Sequence, residues 1–199
     1  ICEKFAREND MIFNAKKTLC MCIRYKKSVN MSVPNVMLNG NNLKWVSNHK
    51  YLGVNICDDF TDDMDLKRQM KQLYGKGNTL IQKFGKCSDE VRISLFQSYC
   101  NNMYCCALWH KYTVSSYRSL NVAHNNVFRH LLKISGPCSI SQLFVTYGID
   151  HFTVLLRKSM YSVMSRVFNS DNILVKTVVN SMYFMYDSDL YKTWVTTLY

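Results

Sequence analysis

Two adjacent aspartates, Asp62 and Asp63, are the side chains in this sequence that could most readily hold metal ions. With Phe60 they form an aromatic-x-Asp-Asp string, and paired carboxylates can hold two divalent cations for phosphoryl chemistry. Such a site needs apolar strands on both sides to fix the carboxylates, whereas two further carboxylates precede this string and a charged, helix-periodic segment follows it. Carboxylates at the start of a helix complement its dipole. We therefore interpret the cluster as a helix start, and the sequence predicts no catalytic residue and no metal site.

The other reactive side chains form no recognisable catalytic or metal-binding pattern. The nine cysteines include no C-x-x-C pair, which is the usual spacing of zinc ligands. His124 and His130 share one predicted helix, but a separation of six residues puts them about 120° apart around its axis. No nucleophile elbow is present, and Gly75-Lys76-Gly77 is not a phosphate loop. We interpret all five histidines as structural or exposed, and the odd number of cysteines as reduced thiols of a nuclear or cytosolic compartment.

Positive charge gives a clearer indication of the partner. The 199 residues carry 25 Lys and Arg against 14 Asp and Glu, a net charge of +11, and this excess is concentrated in residues 1–57 and 87–168. Such a bias favours polyanions, because each neutralised phosphate releases counterions. Nucleic acid is the first expectation and an anionic membrane surface the second. Several basic residues stand near aromatic ones, as suits phosphate contacts next to stacking surfaces: Lys16-Lys17, Arg24-Tyr25-Lys26-Lys27, Lys44-Trp45 and Lys50-Tyr51.

The chain shows no sign of membrane insertion or secretion. No uninterrupted apolar run reaches the roughly 18 residues of a spanning helix, and the start at Ile1 lacks a signal peptide's apolar core. A first residue other than Met leads us to expect a fragment of a longer protein. We expect an intracellular protein.

Residues 1–57 predict a short helix followed by strands. A helical beginning at Cys2 leads to an apolar run at Leu19–Ile23, which is short enough for a buried strand. Asn39-Gly40 is a strong two-residue turn signal between apolar segments and predicts a hairpin. A third strand is predicted over Tyr51–Ile56. Together these give a small antiparallel sheet.

From about residue 60 the hydrophobic period changes to that of helices. A long helix is predicted to end at Gly85, a second to begin at Ser88 with Asp89 and Glu90 in its first turn, and a third to run from about residue 116 to Gly136-Pro137. Shorter helices are predicted at 139–147 and 150–168, and a weak helix in the Tyr-rich tail. The predicted inward positions of the three main helices are Leu66, Met70, Leu73, Gly77, Leu80, Ile81 and Phe84, then Val91, Leu95, Tyr99 and Met103, then Leu120, Ala123, Val127 and Leu131.

The order of the strings is more specific than any one of them. Phe13-Asn14-Ala15-Lys16-Lys17-Thr18, followed by a strand and then by Lys50-Tyr51-Leu52-Gly53-Val54-Asn55-Ile56, resembles the end of the reverse transcriptase domain of non-LTR retrotransposons. In that family an Asn-x-x-Lys-Thr string closes the palm, and Tyr-Leu-Gly-Val is the hairpin that grips the primer. Residues 98–136 look like the helical thumb and connection of these elements, so the resemblance covers about residues 2–168.

The resemblance implies a division of the chain and a set of binding residues. It implies the end of the palm with the primer-grip strands at 1–57, a helical thumb-like region at 58–136 and a helical connection or tail at 137–199. The fold class expected is therefore α+β, a small antiparallel β palm remnant followed by a mostly helical thumb-like region. The residues that the resemblance implies for nucleic-acid binding are Asn14, Lys17, Thr18, Lys50, Tyr51, Leu52, Gly53 and Val54.

Catalysis is not implied for these residues. The family's aromatic-x-Asp-Asp string precedes the Asn-x-x-Lys-Thr string, so Phe60-Thr61-Asp62-Asp63 lies on the wrong side of it. The resemblance implies that Mg²⁺ belongs to the intact parent polymerase, that this chain holds no cofactor, and that its partners are primer-template nucleic acid and the missing N-terminal part of the polymerase.

Two other functions stay open from the sequence. The first is a non-catalytic remnant of a retroelement that acts as a protein-interaction module or has no function, because a truncated palm exposes sheet edges that can pair with other chains. The second is an enzyme of unrelated fold, for which the sequence offers no nucleophile and no metal cluster.

Overall fold

The computed structural model describes residues 2–23 and 32–198. The chain has an α+β fold, as predicted, with helices and short strands in small sheets. It divides into two compact units, Ile1–Met64 (unit 1) and Asp65–Tyr199 (unit 2). The basic string Arg24-Tyr25-Lys26-Lys27 lies outside the described residues, and the three-part division at 57 and 136 stays a prediction.

Unit 1 consists of one helix and six very short strands within its described residues. The helix α1 (Cys2–Glu8) begins the chain. The strands are β1 (Leu19–Cys20), β2 (Met37–Leu38), β3 (Asn41–Asn42), β4 (Lys44–Trp45), β5 (Asn48–Tyr51) and β6 (Val54–Cys57).

The prediction of one small antiparallel sheet is wrong. Across residues 2–23 and 32–64 the strands form three separate pairs: β2 with β3 and β5 with β6 are antiparallel, whereas β1 pairs with β4 in parallel. The predicted strand Leu19–Ile23 shrinks to two residues. Tight turns reverse the chain after two to four residues of strand, so each hairpin closes on itself before a wider sheet can form.

The hairpin predicted at Asn39-Gly40 is confirmed. Met37 lies opposite Asn42, and both turn residues have positive φ, 49° and 73°, as a type I′ turn requires. The Glu3 side chain accepts a hydrogen bond of 2.6 Å from the Asn39 amide. Glu3 thereby fixes α1 to this turn.

The described residues of unit 2 form helices joined by loops, and the predicted helices are confirmed, except that the third ends at Leu131 and not at Gly136-Pro137. They are α2 (Asp63–Phe84), α3 (Asp89–Tyr99), a 3₁₀ helix (Cys106–Leu108), α4 (Val114–Leu131), α5 (Ile140–Thr146), α6 (Phe152–Phe168), α7 (Ile173–Val179), α8 (Met182–Tyr186) and α9 (Asp189–Leu198). Polar side chains cap the N-termini of several of these helices. Oγ1 of Thr113 accepts from the Ser116 amide at 3.2 Å, and Oδ1 of Asn172 accepts from the Leu174 amide at 2.9 Å.

The core of unit 2 is built from leucines and aromatic rings. Phe128 lies 5.0 Å from both Phe96 and Phe144 between ring centroids, and tilted contacts of this kind add to the burial of apolar area. The predicted inward residues of α4 are all buried. Other fully buried members of this cluster are Leu66, Leu120, Leu131 and Phe152.

The predicted inner face of α3 is only partly correct, since Leu95 packs against the core and Met103, just beyond the helix, is buried in it. Val91 and Tyr99 are exposed, and the helix instead buries Phe96 and Arg92. Burial of Arg92 is possible because its guanidinium donates to the Leu131 carbonyl at 2.6 Å and pairs with Asp89. A cation paired through both Nη atoms thus lies on the face where an apolar residue was expected.

Alanine substitutions at two glycines of α2 are expected to change the stability in opposite directions. A Cβ on Gly77 would lie 2.5 Å from Cγ1 of the buried Val127, whereas a Cβ on Gly75 would meet nothing within 4 Å. Gly75→Ala should raise the free energy of unfolding by up to about 1 kcal/mol through helix propensity. Gly77→Ala should lower it by about 1–3 kcal/mol, because α2 and α4 would be forced apart.

Urea denaturation of the two variants measures this difference. Val127→Ala should make Gly77→Ala less harmful than the sum of the two single changes. Equal stabilisation by both alanines would contradict the close approach of α2 to α4.

Candidate nucleic-acid interface

The β5–β6 hairpin in unit 1 contains five of the predicted binding residues. Tyr51 lies opposite Val54, and the chain reverses between them at Leu52-Gly53. The prediction of one continuous strand over Tyr51–Ile56 is therefore wrong. Both turn residues have positive φ, 46° at Leu52 and 87° at Gly53, which is the backbone of a type I′ turn.

Leu52 is an unusual residue for this turn. A left-handed backbone costs an L-residue with a Cβ about 1–2 kcal/mol, and only Gly, Asn and Asp adopt it routinely. The other hairpin of unit 1 uses the expected Asn39-Gly40 at the same positions. Leu52 is also 74% exposed, so no burial offsets the strain. Leu52 thus combines an exposed apolar side chain with a strained backbone.

The register places the neighbours of Leu52 on two faces of the ribbon. Side chains alternate along a strand and directly opposite residues share a face. Tyr51 therefore lies with Val54 on one face, and Lys50 lies with Asn55 on the other. Tyr51 is 59% exposed and Lys50 is exposed as well. The tip thus offers a ring on one side and a cation on the other.

Asn14, Lys17 and Thr18 are brought together in a single turn. The Asn14 carbonyl accepts from the Lys17 amide at 3.0 Å and from the Thr18 hydroxyl at 2.9 Å. Oδ1 of Asn14 also accepts from the Lys17 amide at 3.2 Å. Asn14 and Thr18 therefore use their polar atoms to hold the turn, while the Lys17 side chain is exposed.

Asp62 and Asp63 do not fit a two-metal centre. Asp63 is the first residue of α2, so the pair lies at a helix start, as interpreted from the sequence, and not on a bend between strands. Just before it, Oδ1 of Asp59 accepts from the Thr61 amide at 3.0 Å and from the Thr61 hydroxyl at 2.7 Å. No group of three or more His, Cys, Asp or Glu side chains that could hold a metal ion occurs across the described residues.

Asp65, a member of the same acidic cluster, has a structural role that the sequence analysis missed. It is fully buried, and its carboxylate accepts from Nε and Nη2 of Arg68 at 2.7 and 3.0 Å. The same carboxylate accepts from Nε1 of Trp109 at 2.9 Å. The bidentate pair lies within α2, and the indole ties α2 to the segment after the 3₁₀ helix.

His124 is a second buried polar residue of unit 2. It lies among the rings of Phe96, Phe144 and Phe152, and its Nε2 is 3.0 Å from Oδ1 of Asn101. Burial, together with the nearby His151, lowers the pKa of His124 to about 4. The interpretation of His124 as structural agrees with this environment. Its spacing of four residues from Leu120 could have indicated the buried face.

The cysteines form no disulfide bond. All nine cysteines are free thiols, and burial raises the pKa of the Cys100 thiol to about 11.

Within the part of the chain that the structure describes, no helix is both long and apolar enough to span a bilayer.

Comparison with models of known protein families, with curated proteins and with solved structures found no match.

Proposed function

We propose that this chain is the palm end and thumb-like part of a non-LTR reverse transcriptase, an RNA-directed DNA polymerase, and that it positions primer-template nucleic acid. The observation that carries the proposal is the strained and exposed Leu52 at the tip of the β5–β6 hairpin. The resemblance of the Tyr-Leu-Gly-Val string to the family's primer grip supports it. No catalytic step is assigned to these residues.

The chemistry of the hairpin tip suits a nucleic-acid terminus. The Tyr51 ring can stack on a base, and Leu52 can cover the apolar face of a sugar or base. Gly53 carries no side chain, which lets a phosphate or sugar approach the backbone closely. Lys50 on the opposite face of the ribbon, and Lys17 in its own turn, can neutralise phosphates.

The variant Leu52→Asn tests whether the Leu52 side chain contributes to binding, without destabilising the hairpin. Asn-Gly is the preferred pair for this turn, so Leu52→Asn should leave the hairpin as stable as before or stabilise it by about 1 kcal/mol. Loss of the apolar contact should weaken binding of a primed template about tenfold, since that corresponds to about 1.4 kcal/mol. Fluorescence anisotropy with a labelled primer-template measures the change.

Ile12→Asn is the matched control, because Ile12 is also an exposed apolar residue of unit 1, at 91%. It should leave the affinity unchanged. Equal weakening by both variants, or full affinity in Leu52→Asn, would contradict the role of the hairpin tip.

The exposed apolar residues of α7 and α8 favour a second candidate function, a protein-interaction module without nucleic-acid binding. Ile173, Leu174, Met182 and Tyr183 are all largely exposed. The dependence of primer-template binding on salt concentration distinguishes the two functions. If Lys and Arg contact phosphates, the logarithm of the binding constant should fall with the logarithm of the salt concentration, with a slope of about −0.9 per phosphate contacted on a duplex. The second function predicts no binding of the primer-template at any salt concentration.

A further inference from the structure

A groove in unit 2 runs along α2 beside the end of α3 and is separate from the hairpin. Its volume is about 650 Å³, which is within the range of ligand-binding pockets. Leu80, Phe84 and Tyr99 form an apolar lining, and the Tyr99 ring is 55% exposed. Lys76 and Lys83 also line the groove.

The two lysines form one stripe on α2. They are seven residues apart, which places them on the same face about 10 Å from each other along the axis. Nζ of Lys76 donates to the Asn102 carbonyl at 3.4 Å, which holds this ammonium group at the α3 side of the groove. Among the described residues that line the groove, none carries a carboxylate.

We propose that this groove binds an acidic amphipathic helix of a partner protein. Carboxylates at positions i and i+7 of a helix are also about 10 Å apart, so a helix lying along α2 can pair with Lys76 and Lys83 at once. Its apolar residues at i+3 and i+4 then lie over Leu80, Phe84 and Tyr99. This is the helix-in-groove mode of recognition, with charge complementarity setting the register.

The groove suits such a helix better than a nucleic-acid strand. Phe84 and Tyr99 offer apolar area that a sugar-phosphate backbone cannot bury. Lysines can neutralise phosphates as point charges, but bidentate recognition of a phosphate uses arginine forks or free backbone N–H groups. Here the two lysines are the only cations among the described lining residues, and the backbone N–H groups of mid-helix residues are bonded within the helix.

A designed peptide tests the proposal with the full chain. The probe is a labelled helical peptide of about 20 residues with Glu at i and i+7 and Leu at i+3 and i+4. We expect saturable binding by fluorescence anisotropy. Lys76→Glu with Lys83→Glu should weaken it at least about tenfold, and should create binding of the same peptide with Lys in place of both Glu.

The control is Lys67→Glu with Lys71→Glu, since these exposed lysines lie on the opposite side of α2. It should leave peptide binding unchanged, and circular dichroism should show that both double variants are folded. No binding of the Glu peptide to the unmodified chain, or equal weakening by the two double variants, would overturn the proposal. Displacement of the peptide by single-stranded DNA that the groove variant no longer binds would also overturn it, in favour of a nucleic-acid site.

Discussion

Replacing Asp65 by alanine is expected to lower the free energy of unfolding by about 3–5 kcal/mol, because it breaks a buried ion pair from one side. The carboxylate is the acceptor for two guanidinium hydrogens of Arg68 and for the indole of Trp109. The Arg68 side chain is only 13% exposed, so water can replace little of the pairing lost at Nε and Nη2, while Nη1 keeps its hydrogen bond to Gln72. Chemical denaturation followed by circular dichroism measures the loss.

Two further variants show whether charge burial is the cause. Asp171→Ala removes an ion pair with Lys176 that is exposed, and it should hardly change the denaturation midpoint, since such pairs contribute little. Arg68→Met combined with Asp65→Ala should recover part of the loss, because no unpaired buried charge is left. A loss in Asp65→Ala no larger than that in Asp171→Ala would contradict the buried network.

Acidification from pH 7 to pH 4 is expected to lower the free energy of unfolding by about 3 kcal/mol through His124 alone. Burial holds its pKa at about 4 in the folded chain, whereas an unfolded chain binds the proton near pH 6.5. Between these values only the unfolded state is protonated, so stability falls as pH falls. About 2 kcal/mol of the effect should be present by pH 5.

The variant that isolates this contribution is His124→Gln. It should be less stable than the unmodified chain at pH 7, because the ring packs against Phe96 and Phe152, but its stability should depend less on pH between 7 and 4. His130→Gln changes an exposed residue of the same helix and should keep the full pH dependence. If His124→Gln retained that dependence too, the buried neutral imidazole would not be its source.

The helices were predictable because their periodicity extends over many residues. In α4 the spacing of Leu120, Val127 and Leu131 fixed the buried face. In α3 the same reasoning was right for Leu95 but not for Val91 and Tyr99. Apolar type alone could not show that Arg92 would find the Leu131 carbonyl as a partner. A buried cation depends on a contact between distant residues, and periodicity does not contain that information.

The strands and the site were only partly predictable, for reasons of turn chemistry. Asn39-Gly40 was found because Asn and Gly adopt positive φ readily. The residue pattern missed the turn at Leu52-Gly53, which only the family resemblance implied, because leucine is rarely found in that conformation. That rarity is what makes Leu52 informative. Asp65 was missed because its partner Trp109 is 44 residues away.

Photocrosslinking tests the central claim most directly. A primer carrying 5-iododeoxyuridine at its 3′ end is annealed to a template, bound to the chain and irradiated, and the tryptic peptides are identified by mass spectrometry. The hairpin account predicts a crosslink in the peptide 51–67, whose single tyrosine is Tyr51, and its loss in Tyr51→Leu while other crosslinks persist. Crosslinks confined to peptides within unit 2 would contradict a primer contact at the hairpin tip.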